Sequence, residues 1–314
     1  MKPDNKNASV TKSHPWLKIH SSSIEEYIPP RYYEKLLKDY VFHKKTDLEY
    51  LKHFLESLKN PRMSILELGS GSGRATDILL RNVGTFKNLD LVDLSPHMIA
   101  WLKNKYRNNK NIRVVRSDSV KYLEKTKKKY DFVFSFWSFS HSIHQHMEKS
   151  GLKRVSEYLE KCLIRFFTNN LNPGGKFFLF HFDSKSDEQK ILMKQWGKFF
   201  PIFRDTRRQS PSKLLLDDIL KRLQKKKIIE KLEIKHLSGD PISYESLEEA
   251  LEIFINFHME TEFNRSPRIG EILKEVSSDI NKHKIKNGHF LIKPGCFVYT
   301  FQKANTKVFS KEAR

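Results

Sequence analysis

The chain is organised around Ile65-Leu66-Glu67-Leu68-Gly69-Ser70-Gly71-Ser72-Gly73-Arg74. An apolar run reaches an acid, breaks into three alternating glycines and restarts as Ala75-Thr76-Asp77-Ile78-Leu79-Leu80, which reads as strand, tight turn and helix. Glycine in such a turn permits positive φ and removes the Cβ atoms that would hold a ligand away from the backbone. A second strand, Leu89-Asp90-Leu91-Val92-Asp93, ends in a carboxylate about twenty residues further on, where one βαβ unit presents an acid to a ribose.

Two ligand classes use this layout. A dinucleotide loop has its third glycine three residues after the second and sets a pyrophosphate on the helix N-terminus. Here the third glycine comes two residues after the second, and Glu67 precedes the first. On these residues the sequence resembles the class I S-adenosylmethionine-dependent methyltransferases, whose first motif is E/D-x-G-x-G-x-G. The resemblance implies that Glu67, Gly69, Ser70, Gly71 and Gly73 frame the amino-acid half of S-adenosylmethionine and that Asp93 binds both ribose hydroxyls. A glycine-rich turn without any ligand is the plain alternative, and Asp93 weighs against it.

Later segments extend the resemblance. Leu94 directly follows the ribose acid and is placed to pack on an adenine face. After a third strand, Ile112-Arg113-Val114-Val115, the family's adenine-binding acid is matched by Asp118, followed by Ser119; capping the Val120-Tyr122-Leu123 helix is the alternative role of Asp118. The strand Tyr130–Phe136, with its sequel to His144, is similar to the F-D-x-V-x-S-x-x-x-L-H-H stretch of ubiquinone-biosynthesis-type small-molecule methyltransferases. Asp131, Val133, Ser135 and His141 match, while Ser140 replaces the first histidine. Ser135 and Phe136 are thereby expected on the sulfonium side. The turn Leu171-Asn172-Pro173-Gly174-Gly175 is also typical of the family, and Pro and Gly there fix a tight helix-to-strand reversal before the strand Phe177–Phe182.

The expected fold is α/β: a Rossmann-like, seven-stranded, mostly parallel sheet with helices on both faces and an antiparallel last strand, Cys296–Phe301, at its edge. A polar tail occupies residues 1–20 and an N-terminal helical lid residues 21–60. The lid holds a helix capped by Ser23, another from Arg31 and a third over Asp47–Leu58. The methyltransferase domain spans 61–303, with a helical cap inserted at about 184–227 after the fifth strand, and 304–314 form a second polar tail. Tyr27, Tyr32, Tyr33 and Tyr40 of the lid, and Trp196 of the cap, are candidates to line a substrate pocket.

With 58 basic residues against 37 acidic ones, the formal net charge is +21. Such a balance admits nucleic acid or an anionic acceptor as partner. Most of the excess is lysine scattered along the chain, with dense spots at Lys125–Lys129, Arg204–Arg208 and Lys225–Lys227, where loops and helix ends are expected. Cys162 and Cys296 fit no metal or redox spacing, which points to a disulfide-free, cytoplasmic protein. No apolar run approaches the roughly 20 residues of a membrane span.

Methyl transfer from a sulfonium needs alignment more than acid–base help. His141, His144 and His181 are the candidate base or acceptor contacts by their position after the fourth and fifth strands. No carboxylate accompanies His141, His144 and His146 in a known metal spacing, so no metal is expected. The function expected is methyl transfer to a nitrogen or oxygen of a small molecule. An RNA methyltransferase using the basic surface is the alternative, and a non-catalytic cofactor-binding module a third reading.

Overall fold

The computed structural model describes residues 12–17, 37–58, 62–258, 263 and 266–305. In chain order it contains β1 (Val41–Phe42), β2 (Lys45–Thr46), α1 (Asp47–Glu56), β3 (Ser64–Leu68), α2 (Arg74–Asn82), β4 (Asn88–Asp93), α3 (Pro96–Lys105), β5 (Ile112–Arg116), α4 (Ser119–Lys125), β6 (Tyr130–Phe136), α5 (Phe139–Ser150), α6 (Leu152–Asn169) and β7 (Leu171–Phe182). There follow α7 (Asp187–Phe199), α8 (Pro211–Lys225), β8 (Ile229–Ser238), β9 (Ile242–Tyr244), α9 (Leu247–Ile253), α10 (Ile269–Asn281), β10 (Phe290–Ile292) and β11 (Gly295–Lys303). The expected helices at Ser23 and Arg31 lie outside the described residues.

The described chain divides into two compact units. The larger, from Asp47 to Asp183, Arg207 to Leu237 and Cys296 onward, holds a seven-stranded sheet in the order β5-β4-β3-β6-β7-β11-β8. Strands β5, β4, β3, β6 and β7 are parallel neighbours, and β11 runs antiparallel to β7. This is the Rossmann-like arrangement expected, with helices flanking the sheet. Central strands of a parallel sheet are covered on both faces, so they read as continuous apolar runs rather than alternations. Every residue of β3 is buried, whereas the edge strand β5 is half exposed.

An aromatic seam joins β6 to β7. Phe132 and Phe134 stack at 5.1 Å, Phe136 and Phe180 at 5.1 Å, and Phe54 of α1 lies 4.9 Å from Phe178. Such ring pairs contribute beyond the area they bury, by about 0.5–1.5 kcal/mol each. Phe54 and Phe132, centred 5.6 Å apart, bring α1 onto the sheet, so this helix is part of the larger unit.

Several boundaries differ from the sequence expectation. The last strand, β11, is not an edge: it lies between β7 and β8, and β8 takes the edge. Strand β7 starts at Leu171 rather than Phe177, because Leu171 already pairs with Tyr130. As β6 advances from Tyr130 to Phe132, β7 advances from Leu171 to Lys176, so the Pro-Gly-Gly stretch is an extended bulge within a strand. Asp131 ties it down, accepting from Asn172 Nδ2 at 2.7 Å and from the Ser64 N–H at 2.8 Å. Helix α1 ends at Glu56, two residues short of Leu58.

The smaller unit comprises the described residues up to Thr46, Ser184–Thr206 and Ser238–Gly295. It contains the β1–β2 and β9–β10 pairs and α7, α9 and α10. Helix α7 carries Lys194, Gln195 and Lys198 against Asp279 and Glu275 of α10. The stretch expected as one cap therefore divides. Residues 184–206 belong to this unit, while α8 belongs to the sheet unit, burying Leu215, Leu216, Ile219, Leu220 and Leu223.

Candidate cofactor site and acceptor rim

The three motif glycines all have positive φ, at +70°, +51° and +81°, but for different reasons. A Cβ on Gly69 would fall 1.8 Å from Ser138 Oγ, and one on Gly73 would fall 2.5 Å from the Tyr106 hydroxyl. A Cβ on Gly71 would meet nothing within 4 Å, so Gly71 alone turns its bare backbone to open space. The loop is hung on the neighbouring strand: the N–H groups of Gly69 and Ser70 donate to the Val92 carbonyl at 2.7 and 3.0 Å.

Asp93 ends β4 beside this loop. Its Oδ2 accepts from the Gly71 N–H at 2.8 Å and its Oδ1 from the Ser95 N–H at 2.9 Å. Burial pushes the Asp93 carboxyl upward, opposed by the N–H groups of Gly71, Ser95 and Leu94. With three N–H groups directed at it, the carboxylate keeps acceptor capacity for a further hydroxyl. Leu94 follows as an exposed apolar side chain, 40% accessible. Two buried hydroxyls, Ser72 Oγ in the loop and Ser140 Oγ in the first turn of α5, have no hydrogen-bond partner among the described residues. Buried polar groups seldom stay unpaired, so an open backbone, a carboxylate and orphaned hydroxyls together fit a polar nucleoside ligand.

Other expected site residues sit deeper. Glu67 is 2% exposed beneath the loop and accepts from the Thr76 hydroxyl. Burial raises its pKa to about 8, so it is largely protonated at neutral pH. Ser135 Oγ donates to the Leu68 carbonyl at 2.7 Å, pinning β6 to β3, and Phe136 stacks in the aromatic seam. The groups that emerge from the end of β6 are the next two, Trp137 and Ser138. Asp118 caps α4 through the Lys121 N–H at 2.9 Å. It also accepts from Ser142 Oγ at 2.5 Å and pairs with His146 Nε2 at 2.9 Å. Burial alone would raise its carboxyl, but His146 and Ser142 outweigh it and hold Asp118 below the usual range. Any bond to an adenine amino group must use the lone pairs left over. Ser119, beside it, is buried.

The three candidate histidines surround Phe182, with ring centres 6.4, 6.0 and 4.9 Å away for His141, His144 and His181. They are not equivalent. His181 is fully buried, its Nδ1 paired with the Phe182 carbonyl at 2.8 Å and its Nε2 with Ser212 Oγ at 2.9 Å. Burial takes it down to about 4, a structural histidine rather than a rim group. His144 is buried and accepts from the Ser212 N–H at 3.4 Å, and burial holds it well below the ordinary value. His141 is exposed at the surface, and desolvation by the surrounding protein lowers its pKa below the ordinary histidine value. Tyr27, Tyr32 and Tyr33 lie outside the described residues. Tyr40 is buried and donates to Glu188. Trp196 packs in the smaller unit against Phe200, Phe203 and Phe263 at 5.3, 6.4 and 4.7 Å. Among the described residues no group of three or more His, Cys, Asp or Glu side chains is placed to hold a metal ion.

The sequence did not single out a buried ion pair at the loop. Asp47, fully buried at the start of α1, holds Arg74 through two bonds of 2.5 and 2.8 Å and accepts from Trp137 Nε1 at 2.8 Å. Trp137 has φ +59°, a conformation that costs a bulky residue on the order of 1–3 kcal/mol. The one available signal was an arginine immediately after the third glycine.

Residues 65–161, which contain the loop, Asp93, Asp118 and the histidines of α5, match the family described as a methyltransferase domain. The domain is that of a class I S-adenosylmethionine-dependent methyltransferase. The cofactor of such domains is S-adenosylmethionine.

The chain is 30% identical over 135 residues to malonyl-acyl carrier protein O-methyltransferase 1 of Ilyobacter polytropus, covering 43% of this chain. It spans about half (49%) of that relative's length. Similar solved structures include the cyclopropane synthase MmaA2 of Mycobacterium tuberculosis, at 13% identity and a TM-score of 0.47, covering 83% of this chain and 85% of the other. Phosphoethanolamine N-methyltransferase 2 of Haemonchus contortus, solved with S-adenosyl-L-methionine, is 15% identical, with a TM-score of 0.43, covering 82% of this chain and 52% of the other. No helix among the described residues is long and apolar enough to cross a membrane.

Replacing Asp93 with alanine removes the acceptor of the Gly71 and Ser95 N–H groups and the acid expected to bind the ribose. We expect a loss of S-adenosylhomocysteine affinity of about 10- to 100-fold by calorimetry, the worth of charge-assisted hydrogen bonds. Unchanged affinity would refute the ribose assignment.

Proposed function

We propose that the protein transfers a methyl group from S-adenosylmethionine to a nitrogen or oxygen of a small molecule. When bound, the cofactor supplies a methyl group already activated by its positive sulfur. The chain's own contribution is alignment and the removal of one proton. The observation that carries the acceptor reading is His141: a neutral imidazole at the rim after β6, beside Phe182, with no hydrogen-bond partner for its ring among the described residues. An amine or hydroxyl acceptor must shed a proton to present its lone pair, and a neutral imidazole nitrogen can take it.

The basic cluster Lys125–Lys129 leads into the start of β6. The glycine loop leaves the opposite, C-terminal end of the parallel strand β3. That separation favours a small acceptor over RNA. The RNA reading retains the +21 net charge in its favour, and it predicts substrate binding that weakens steeply as salt rises.

Incubation with methyl-labelled cofactor and cell-extract fractions, with and without nuclease, tests the proposal. Label in a small, nuclease-resistant product is the expected result; label in nuclease-sensitive material would overturn it. With the acceptor in hand, His141→Ala should lower kcat about 100-fold at neutral pH while leaving S-adenosylhomocysteine affinity intact. Because burial depresses the His141 pKa, the wild-type rate should hold constant below the ordinary histidine range and fall only in more acid solution.

A further inference from the structure

We propose that Asp47 is a positioning residue for the amino-acid half of the cofactor, acting through the turn at Trp137 and through Arg74; the inference rests on the methyl-transfer reading above. Asp47 lies outside the matched residues 65–161, yet its carboxylate joins the two loops that flank the site.

All of its acceptor capacity is committed. Oδ1 accepts from Arg74 Nη2 at 2.8 Å and from the Leu48 N–H at 2.8 Å; Oδ2 accepts from Arg74 Nη1 at 2.5 Å and from Trp137 Nε1 at 2.8 Å. Arg74 begins α2 immediately after Gly73, so holding its guanidinium fixes where the glycine loop enters the helix. Trp137 immediately follows β6. Its N–H donates to the Phe180 carbonyl at 3.1 Å, its φ is +59°, and this left-handed turn lays Ser138 against Gly69.

These contacts close a circuit: Gly69 to Ser138, Trp137 to Asp47, Asp47 to Arg74, and Arg74 back to Gly73. A left-handed tryptophan persists only where its surroundings over-determine it, and the indole bond to Asp47 is one such constraint. Arg74 in turn supplies the charge without which a fully buried carboxylate would be costly. Asp93, by contrast, stands outside the circuit, fixed by Gly71 and Ser95. Loosening Asp47 should therefore disturb the part of the ligand beside Gly69 and Gly73 and spare the part held by Asp93.

The full-length wild-type protein, Trp137→Phe, Asp47→Asn and the double variant are titrated by calorimetry with S-adenosylhomocysteine and with 5′-methylthioadenosine, which lacks the amino-acid half. Trp137→Phe removes the indole N–H while keeping an aromatic, though smaller, ring at the turn, and guards against an Asp47 variant that fails to fold. Each single variant should bind S-adenosylhomocysteine about tenfold more weakly, the worth of a charge-assisted hydrogen bond. Each should keep the wild-type affinity for 5′-methylthioadenosine. The double variant should lose less than the product of the single losses, because one linkage is broken in both. Equal losses for both compounds would reveal general structural damage and overturn the proposal, as would variants that bind both like wild type or losses that multiply. Failure of the wild-type protein to bind either compound would overturn the cofactor reading, and this proposal with it.

Discussion

Glu67→Gln should make the protein markedly more stable in alkaline solution while changing little in acid. The carboxyl has a pKa of about 8 in the folded protein against an ordinary value of 4.5, chiefly because it is fully buried. A folded-state pKa raised in this way means that the native protein holds a proton the unfolded chain releases. Stability is therefore complete below about pH 4.5 and declines as pH rises through 8. At about 1.4 kcal/mol per pH unit, the full displacement corresponds to roughly 5 kcal/mol. Glutamine keeps the size and an acceptor for the Thr76 hydroxyl but cannot ionise. Denaturant unfolding at pH 5 and pH 9 checks this: the variant should be nearly flat where the wild type falls steeply. Parallel profiles would show that Glu67 ionises in the fold without penalty.

Asp90→Ala should cost about 3 kcal/mol, the scale for removing one partner of a buried ionic cluster. The Asp90 side chain is fully buried on β4 and accepts from Arg113 through two bonds of 2.9 Å, from Lys128 at 3.0 Å, from Tyr130 at 2.6 Å and from Tyr122 at 2.9 Å. Burial by itself would raise its carboxyl, but the bonds from Arg113, Tyr130, Lys128 and Tyr122 prevail and hold it below the usual range. The figure sits at the lower end because Arg113 and Lys128 are half in solvent and can be rehydrated, and the two tyrosines, 2.7 Å apart, can bond each other. Its pH signature is the reverse of that at Glu67. The stability supplied by Asp90 is present above its unfolded pKa of about 3.9 and is lost as pH falls through its lower folded value. Urea unfolding of the variant at neutral pH is the check, and a midpoint equal to wild type would show the cluster to be inert.

The glycine loop and Asp93 were legible in the sequence because their geometry admits few alternatives. Three backbone positions at positive φ demand glycine, and an acid ending the neighbouring strand has few other roles. Ser135 and Phe136 were harder. In a parallel strand buried on both faces, alternation does not reveal which residue emerges at the rim, and here the strand delivers Trp137 and Ser138. The Asp47–Arg74–Trp137 linkage was hidden because it joins residues 27 and 90 positions apart, with no local pattern to announce it. The order of the last strands escaped for the same reason, since amphipathic and apolar runs state that a strand exists but not its neighbours. Pro173-Gly174-Gly175 read as a turn because its chemistry is that of a turn; only the pairing of Leu171 with Tyr130 shows it to be a bulge. At the acceptor rim, spacing gave three histidines equal standing. Burial and bonding separate them, leaving His141 as the one whose ring is open and unpaired among the described residues.

The most direct measurement is a calorimetric titration of the wild-type protein with S-adenosylhomocysteine and, separately, with NAD. A bare backbone at Gly71 beside the Asp93 carboxylate predicts one saturable site for the sulfur nucleoside and none for the dinucleotide. Silence toward S-adenosylhomocysteine, or saturable binding of NAD in its place, would contradict it.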